Sequence, residues 1–275
     1  MGDRALTVNA GIVGNFNIEL FEKGKGSPLV FLHGFVGTEW NDCLEQLSKD
    51  FHVLAPRTPG FGESTDTDDL TELHDLLYVF LDTLDALGVK NAPLVGHSLG
   101  GMFAAELAAM QPERFSHLVL LSPFGLFEVD DPVPDFFTFR PAELAKALYS
   151  DPNSEQAKSQ HSGPGALTSD PDPDQLIDFQ IERAKALGQT AKWLWPIPDR
   201  GLNRRLHRIQ CPTLILWGEK DGIVPPSYAE RFHAHIKNST VETVADAAHQ
   251  IPVDQPKAVA DRIKAFVKPK KAAKK

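Results

Sequence analysis

Leu94-Val95-Gly96-His97-Ser98-Leu99-Gly100-Gly101, followed at once by Met102-Phe103-Ala104-Ala105, decides the reading of this chain. A short apolar run ends at a glycine, a serine comes two residues later, and an Ala-rich stretch continues to Met110. The pattern is strand, sharp turn, helix. A turn this tight holds its central residue, Ser98, at positive φ and projects its side chain out of the turn. Side chains two positions to either side would clash, which accounts for Gly96 and Gly100. The amino end of the following helix adds partial positive charge beside Ser98. A glycine-rich turn with an idle serine is the plain alternative. The strand before and the helix after favour a nucleophile.

Outward from this turn, apolar runs alternate with helical patterns. Strands are predicted at residues 29–32, 51–55, 118–121, 213–217 and 241–244, besides the run from Ala92 to Val95. Helices are predicted near residues 40–50, over 70–87, 103–110 and 227–236, and over 256–267. In the second of these, Leu73, Leu76, Leu77, Phe80, Leu81, Leu84 and Leu87 fall at spacings of three and four, and Gly88 is its natural cap. Short connections between alternating strands and helices imply an α/β fold: a mostly parallel, twisted sheet with helices on both faces. Residues 6–20 alternate more strictly and read as an antiparallel edge hairpin. Residues 124–205 break the rhythm. They are rich in Pro and Asp, as in Asp130-Asp131-Pro132-Val133-Pro134-Asp135 and Ser169-Asp170-Pro171-Asp172-Pro173-Asp174, and carry helical patches at 142–149 and 176–187. The expectation is a core of residues 1–123 and 206–267, an inserted helical cap at 124–205, and a disordered Lys-rich tail at 268–275.

With 275 residues and 42% hydrophobic content, the chain suits one large domain carrying an insertion. The net charge is −9, and removing the five lysines of the last eight residues takes it to −14. An acidic body disfavours nucleic acid as a partner. Cys43 and Cys211 are too few for a disulfide scaffold or a Cys-built zinc site. Residues 1–20 lack a long apolar core, Leu6 departs from the myristoylation pattern, and no apolar run approaches a membrane span. A cytoplasmic protein is expected, and the Asn238-Ser239-Thr240 sequon is read as unused. No metal-ligand spacing and no phosphate loop is present, so neither metal nor cofactor is expected.

Motif by motif, the chain resembles the α/β-hydrolase superfamily, over nearly its whole length apart from residues 124–205. The matches are His33-Gly34 after an early strand, Pro59-Gly60-Phe61-Gly62-Glu63-Ser64 after the next, Gly96-His97-Ser98-Leu99-Gly100, Gly218-Glu219-Lys220-Asp221, and Ala248-His249. Arg57 departs from the pattern, since many relatives carry an acidic residue there.

A serine hydroxyl needs a base, and the base needs an orienting acid. Among ten histidines, His249 follows the last strand and precedes the final helix, in the chain order these hydrolases use. Asp221 follows the strand at 213–217 and stands 28 residues before His249, a gap that one helix and one strand fill. Glu128, Asp130 and Asp131 are rival acids, because some relatives place theirs after the preceding strand. The backbone N–H groups of Leu99 and Phe35 are the expected oxyanion donors. His33, Gly34, Phe137 and Trp195 are candidate substrate contacts. Phe136, Phe139 and Trp193 share the aromatic character of the last two, and all could equally form the insert's own core.

The resemblance implies a serine hydrolase of small or medium carboxylic esters, with a small-molecule substrate. The rivals are a carbon–carbon bond hydrolase of dienoate ring-fission products, a cofactor-free lyase, perhaloperoxidase or dioxygenase, and a non-catalytic ligand receptor. Haloalkane dehalogenases and epoxide hydrolases are disfavoured, because relatives of those kinds have aspartate where Ser98 stands. The oligomeric state, a homodimer included, is left open.

Overall fold

The computed structural model describes residues 2–37, 40–162, 172–197 and 199–268. Eight strands form one sheet: β1 (Gly2–Asn9), β2 (Asn15–Lys23), β3 (Pro28–Leu32), β4 (His52–Pro56), β5 (Ala92–His97), β6 (Phe115–Leu121), β7 (Thr213–Gly218) and β8 (Ser239–Val244). Their order is β1-β2-β4-β3-β5-β6-β7-β8. From β4 to β8 every pairing is parallel. The β1–β2 hairpin is antiparallel, and β2 joins β4 antiparallel at the sheet's edge.

The central strands are mostly apolar because both faces are covered. Successive residues alternate between two separate cores. Val30, Leu32, Leu94, Leu118, Leu120, Ile215 and Trp217 face one core. Leu29, Phe31, Val95, Val119, Leu121, Leu214 and Leu216 face the other. The first core takes α2 (Leu73–Ala86), α3 (Leu99–Met110) and α7 (Tyr228–His235). The second takes α1 (Asp42–Leu47) and α9 (Pro256–Val267), with the single turn α8 (Ile251–Asp254) beside them. The helix expected near residues 40–50 is thus shorter, capped by the Asn41 side chain accepting from the Leu44 N–H. The helix after Ser98 begins at Leu99, not Phe103, and all but its last residue are buried. Its alanines allow that close approach to the sheet. Cys43 and Cys211 are buried free thiols, and burial pushes the Cys43 thiol up to about 12.

Between β6 and β7 lie α4 (Pro141–Leu148), α5 (Glu155–Ser162) and α6 (Pro173–Leu194). Helix α6 runs well beyond the 176–187 expected, and α5 carries no apolar periodicity that would have announced it. These helices touch the loops at the carboxyl ends of the strands. The Gly222 N–H donates to Ala147 O, the Gln250 N–H to Leu148 O, and the Thr67 hydroxyl to Gln189 Oε1 at 2.6 Å. The Lys-rich tail, apart from Lys268, and residues 169–171 of the Pro/Asp-rich stretch lie outside the described residues. Among the described residues no helix is long and apolar enough to cross a membrane, and no group of His, Cys, Asp or Glu could hold a metal ion.

Candidate active site

Ser98 stands alone between the last residue of β5 and the first of α3, with φ 57° and ψ −117°. The turn is held by its own backbone: the Ser98 N–H donates to Leu121 O at 2.9 Å, and Ser98 O accepts from Gly101, Met102 and Phe124. A Cβ at Gly96 would lie 2.4 Å from Gly100 O, and one at Gly100 would lie 2.3 Å from Leu32 O. Backbone cannot yield as a side chain does, so both positions require glycine.

The Ser98 hydroxyl donates to His249 Nε2 at 2.7 Å. On the far side of the ring, His249 Nδ1–H donates to Asp221, 2.9 Å from Oδ2 and 3.1 Å from Oδ1. Asp221 is oriented in turn by the Ile223 and Val224 N–H groups, at 2.9 and 3.0 Å. The rival acids lie elsewhere. Glu128 faces Arg231 at 3.6 Å, Asp131 accepts from the Ser227 hydroxyl, and Asp130 is exposed.

The side chains of His249 and Asp221 are fully buried, as is Ser98. An aromatic layer covers them. The ring of Phe124 lies 5.6 Å and that of Phe35 6.0 Å from the His249 imidazole, and Phe136 sits 4.8 Å from Phe35. Leu99 opens α3, so its N–H is one of the four amides without an intrahelical acceptor. Among the described residues the Phe35 N–H has no backbone acceptor either. Gly34 packs against Ser98: a Cβ there would fall 3.0 Å from the serine's own Cβ.

Two further histidines brace this arrangement. His33 Nδ1–H donates to Gly34 O at 2.8 Å, while its Nε2 accepts from the Thr58 N–H at 2.9 Å. His97 Nε2–H donates to the carbonyl of His249 at 2.9 Å. Burial pushes His33 down to about 4 and His97 down to about 3, so both rings are neutral in the folded protein at neutral pH. Both nitrogens of His33 are engaged within the protein. It therefore braces the loop carrying Phe35.

A cavity of about 310 Å³ opens between this loop and the segment joining β6 to β7. It is lined by Phe35, Val36 and Gly37, by Leu144 and Leu148 of α4, by Phe179, Arg183 and Leu187 of α6, and by Arg57 and Phe61. Phe35, whose ring is 6.0 Å from that of His249, lines it, whereas Ser98 and His249 do not. Phe137 and Trp195 are not part of its wall. Phe137 stacks on Phe136 at 4.3 Å and meets Trp195 edge-on at 6.0 Å, and Trp195 is half exposed. The lining residues from α4 and α6 carry no motif, but they have a signal in sequence: Phe179, Arg183 and Leu187 recur every four residues, as do Leu144 and Leu148. Arg57, the departure from the family pattern, pairs with Glu19 at 3.4 Å and lies over the Phe21 ring.

The alpha/beta hydrolase fold model matches residues 27–256. The chain belongs to that family. A curated relative, an uncharacterized hydrolase (YugF) of Bacillus subtilis, is 26% identical over 265 residues, covering 92% of this chain and 94% of its own. A 2-hydroxy-6-oxo-6-phenylhexa-2,4-dienoate hydrolase of Burkholderia cepacia is 26% identical over 267 residues, covering 89% and 88%. Among solved structures, a bacterial membrane phospholipase A superposes with a TM-score of 0.75 at 23% identity, covering 96% of this chain and 85% of that one, a likeness of fold.

Proposed function

We propose that this α/β-family hydrolase cleaves small or medium carboxylic esters through an acyl-enzyme at Ser98. The observation that carries the reading is the buried, continuous hydrogen-bond chain from Ser98 through His249 to Asp221. His249 Nε2 takes the hydroxyl proton as Oγ attacks the carbonyl carbon, and Asp221 stabilises the imidazolium and holds its tautomer. The Phe35 and Leu99 N–H groups receive the oxyanion, and the amino end of α3 adds to their field. His249 passes the proton to the departing alcohol. A water, deprotonated by His249, then releases the acid. Residues 124–205 act as a cap, and the cavity beneath them holds the acyl group, with entrance to Ser98 past Phe35.

A second reading keeps the same residues and cleaves a carbon–carbon bond. It is favoured by the likeness to the Burkholderia cepacia dienoate hydrolase along most of both chains. One assay separates the two: p-nitrophenyl esters of increasing acyl length and a 2-hydroxy-6-oxo-dienoate, each given to the wild type and to Ser98→Ala. The expected result is ester turnover that falls roughly 10³-fold or more in Ser98→Ala, with melting unchanged. Turnover of the dienoate alone would establish the second reading. Ester turnover undiminished in Ser98→Ala would sink both.

A further inference from the structure

The backbone around His249 is gripped at three successive groups. The Ala248 N–H donates to Asp254 Oδ2 at 2.8 Å. The His249 carbonyl accepts from His97. The Gln250 N–H donates to Leu148 O at 2.8 Å, at the last residue of α4. Asp254 does more than hold its own loop. The same Oδ2 accepts the Ser150 N–H at 2.9 Å, two residues beyond α4. One carboxylate oxygen thus ties the residue before His249 to the segment between β6 and β7. One turn earlier, Ala147 O accepts from Gly222, the neighbour of Asp221. Residues 147–150 therefore touch the loops of both His249 and Asp221.

We propose that Asp254 is a positioning residue: it locks the His249 loop to residues 147–150, so that the imidazole stays aligned between Ser98 and Asp221. The assignment rests on the reading of those three residues as catalytic. Its physical basis is the cost of leaving buried N–H groups without an acceptor. Burial raises the Asp254 carboxyl against its usual range, and the Ala248 and Ser150 N–H groups pull the other way. A neutral side-chain oxygen of the same shape still accepts both bonds, though more weakly than a carboxylate, so the role requires the acceptor more than the charge.

The test uses the full chain with Asp254→Ala, Asp254→Asn and Ser150→Pro. The last removes both Ser150 donors to Asp254, the N–H and the hydroxyl, and leaves the Ala248 bond; Tyr149 before it is already extended, as a following proline requires. Three quantities are read: kcat and KM on p-nitrophenyl butyrate, labelling of Ser98 by a fluorophosphonate, and the low-field proton resonance of His249 Nδ1–H. Asp254→Ala is expected to lose at least tenfold in kcat and labelling rate with KM within twofold, and to broaden or shift the resonance. Asp254→Asn is expected to keep at least half of kcat with the resonance in place, and Ser150→Pro to lose a few-fold in kcat. Wild-type kcat and resonance in Asp254→Ala would overturn the proposal. So would an Asn variant that loses activity only in step with its melting temperature, and this still decides if the Ala variant fails to fold. If the wild type neither labels nor turns over esters, the catalytic reading fails separately. The resonance then decides: unchanged in Asp254→Ala, it overturns the positioning role; lost there and kept in Asp254→Asn, it upholds it.

Discussion

At the scale of single residues, the neutral buried histidines set how the protein responds to acid. His33 and His97 ionise in the folded state only near 4 and 3, whereas in an unfolded chain each would do so near 6.5. Their pKa values are lowered on folding and the groups are bases, so the unfolded chain binds more protons below 6.5. Stability contributed by their neutral forms is fully present above 6.5 and is lost progressively as pH falls toward 4 and 3. Each adds a slope of at most about 1.4 kcal/mol per pH unit inside that window. Urea unfolding at pH 5.5 and 7.5 should therefore show a marked loss at the lower value. His97→Gln should reduce the pH dependence by close to one proton, even though it lowers stability at both values. An unaltered slope in that variant would refute the assignment.

At the scale of elements, α3 is tied to the chain that returns from the β6–β7 segment. Glu106, nearly all of whose side chain is buried, receives Arg205 in a bidentate grip, Nε at 2.7 Å and the terminal nitrogen at 2.6 Å. Arg205 is raised above its ordinary range by that bond. A pair like this contributes less to stability than it costs when only one partner is removed. Arg205→Met should destabilise by about 2–4 kcal/mol, less than a fully buried pair would because Arg205 is partly exposed. Glu106→Gln combined with Arg205→Met should recover much of that loss. Denaturant midpoints of the two variants check this. Equal losses in both would mean that the ion pair matters only through packing.

At the scale of the whole molecule, the loops after β3 and β4 and the β6–β7 segment together line the cavity. Ala186 lines it from α6, beside Leu187. Under the proposed function, Ala186→Phe fills part of about 310 Å³ and should shift the preferred p-nitrophenyl ester toward shorter acyl chains. The change should be carried by KM for the long esters, while kcat on the acetate ester stays within a few-fold. An unchanged chain-length profile would place the acyl group elsewhere.

Much was legible in the sequence because much is local. The strand–turn–helix at Ser98 is written in eight consecutive residues, and the apolar runs announce a sheet covered on both faces. The place of Asp221 followed from what fits between a strand end and His249, a matter of chain length. Element ends were less legible: α3 starts at Leu99 because the turn's backbone bonds carry straight into it, and α5 has a polar sequence held by its neighbours. The tertiary structure alone decided the bonds that span the chain. His33 stands in sequence as a candidate substrate contact, and only the fold shows Thr58 and Gly34 engaging both its nitrogens. Phe137 and Trp195 looked like pocket walls until they were seen against each other, outside the cavity. Asp254 is an unremarkable residue in sequence, and its two backbone partners are 6 and 104 positions away. Periodicity and turn chemistry report what a residue does to its own segment. They carry no information on which distant amide or ring will meet it once the chain is packed.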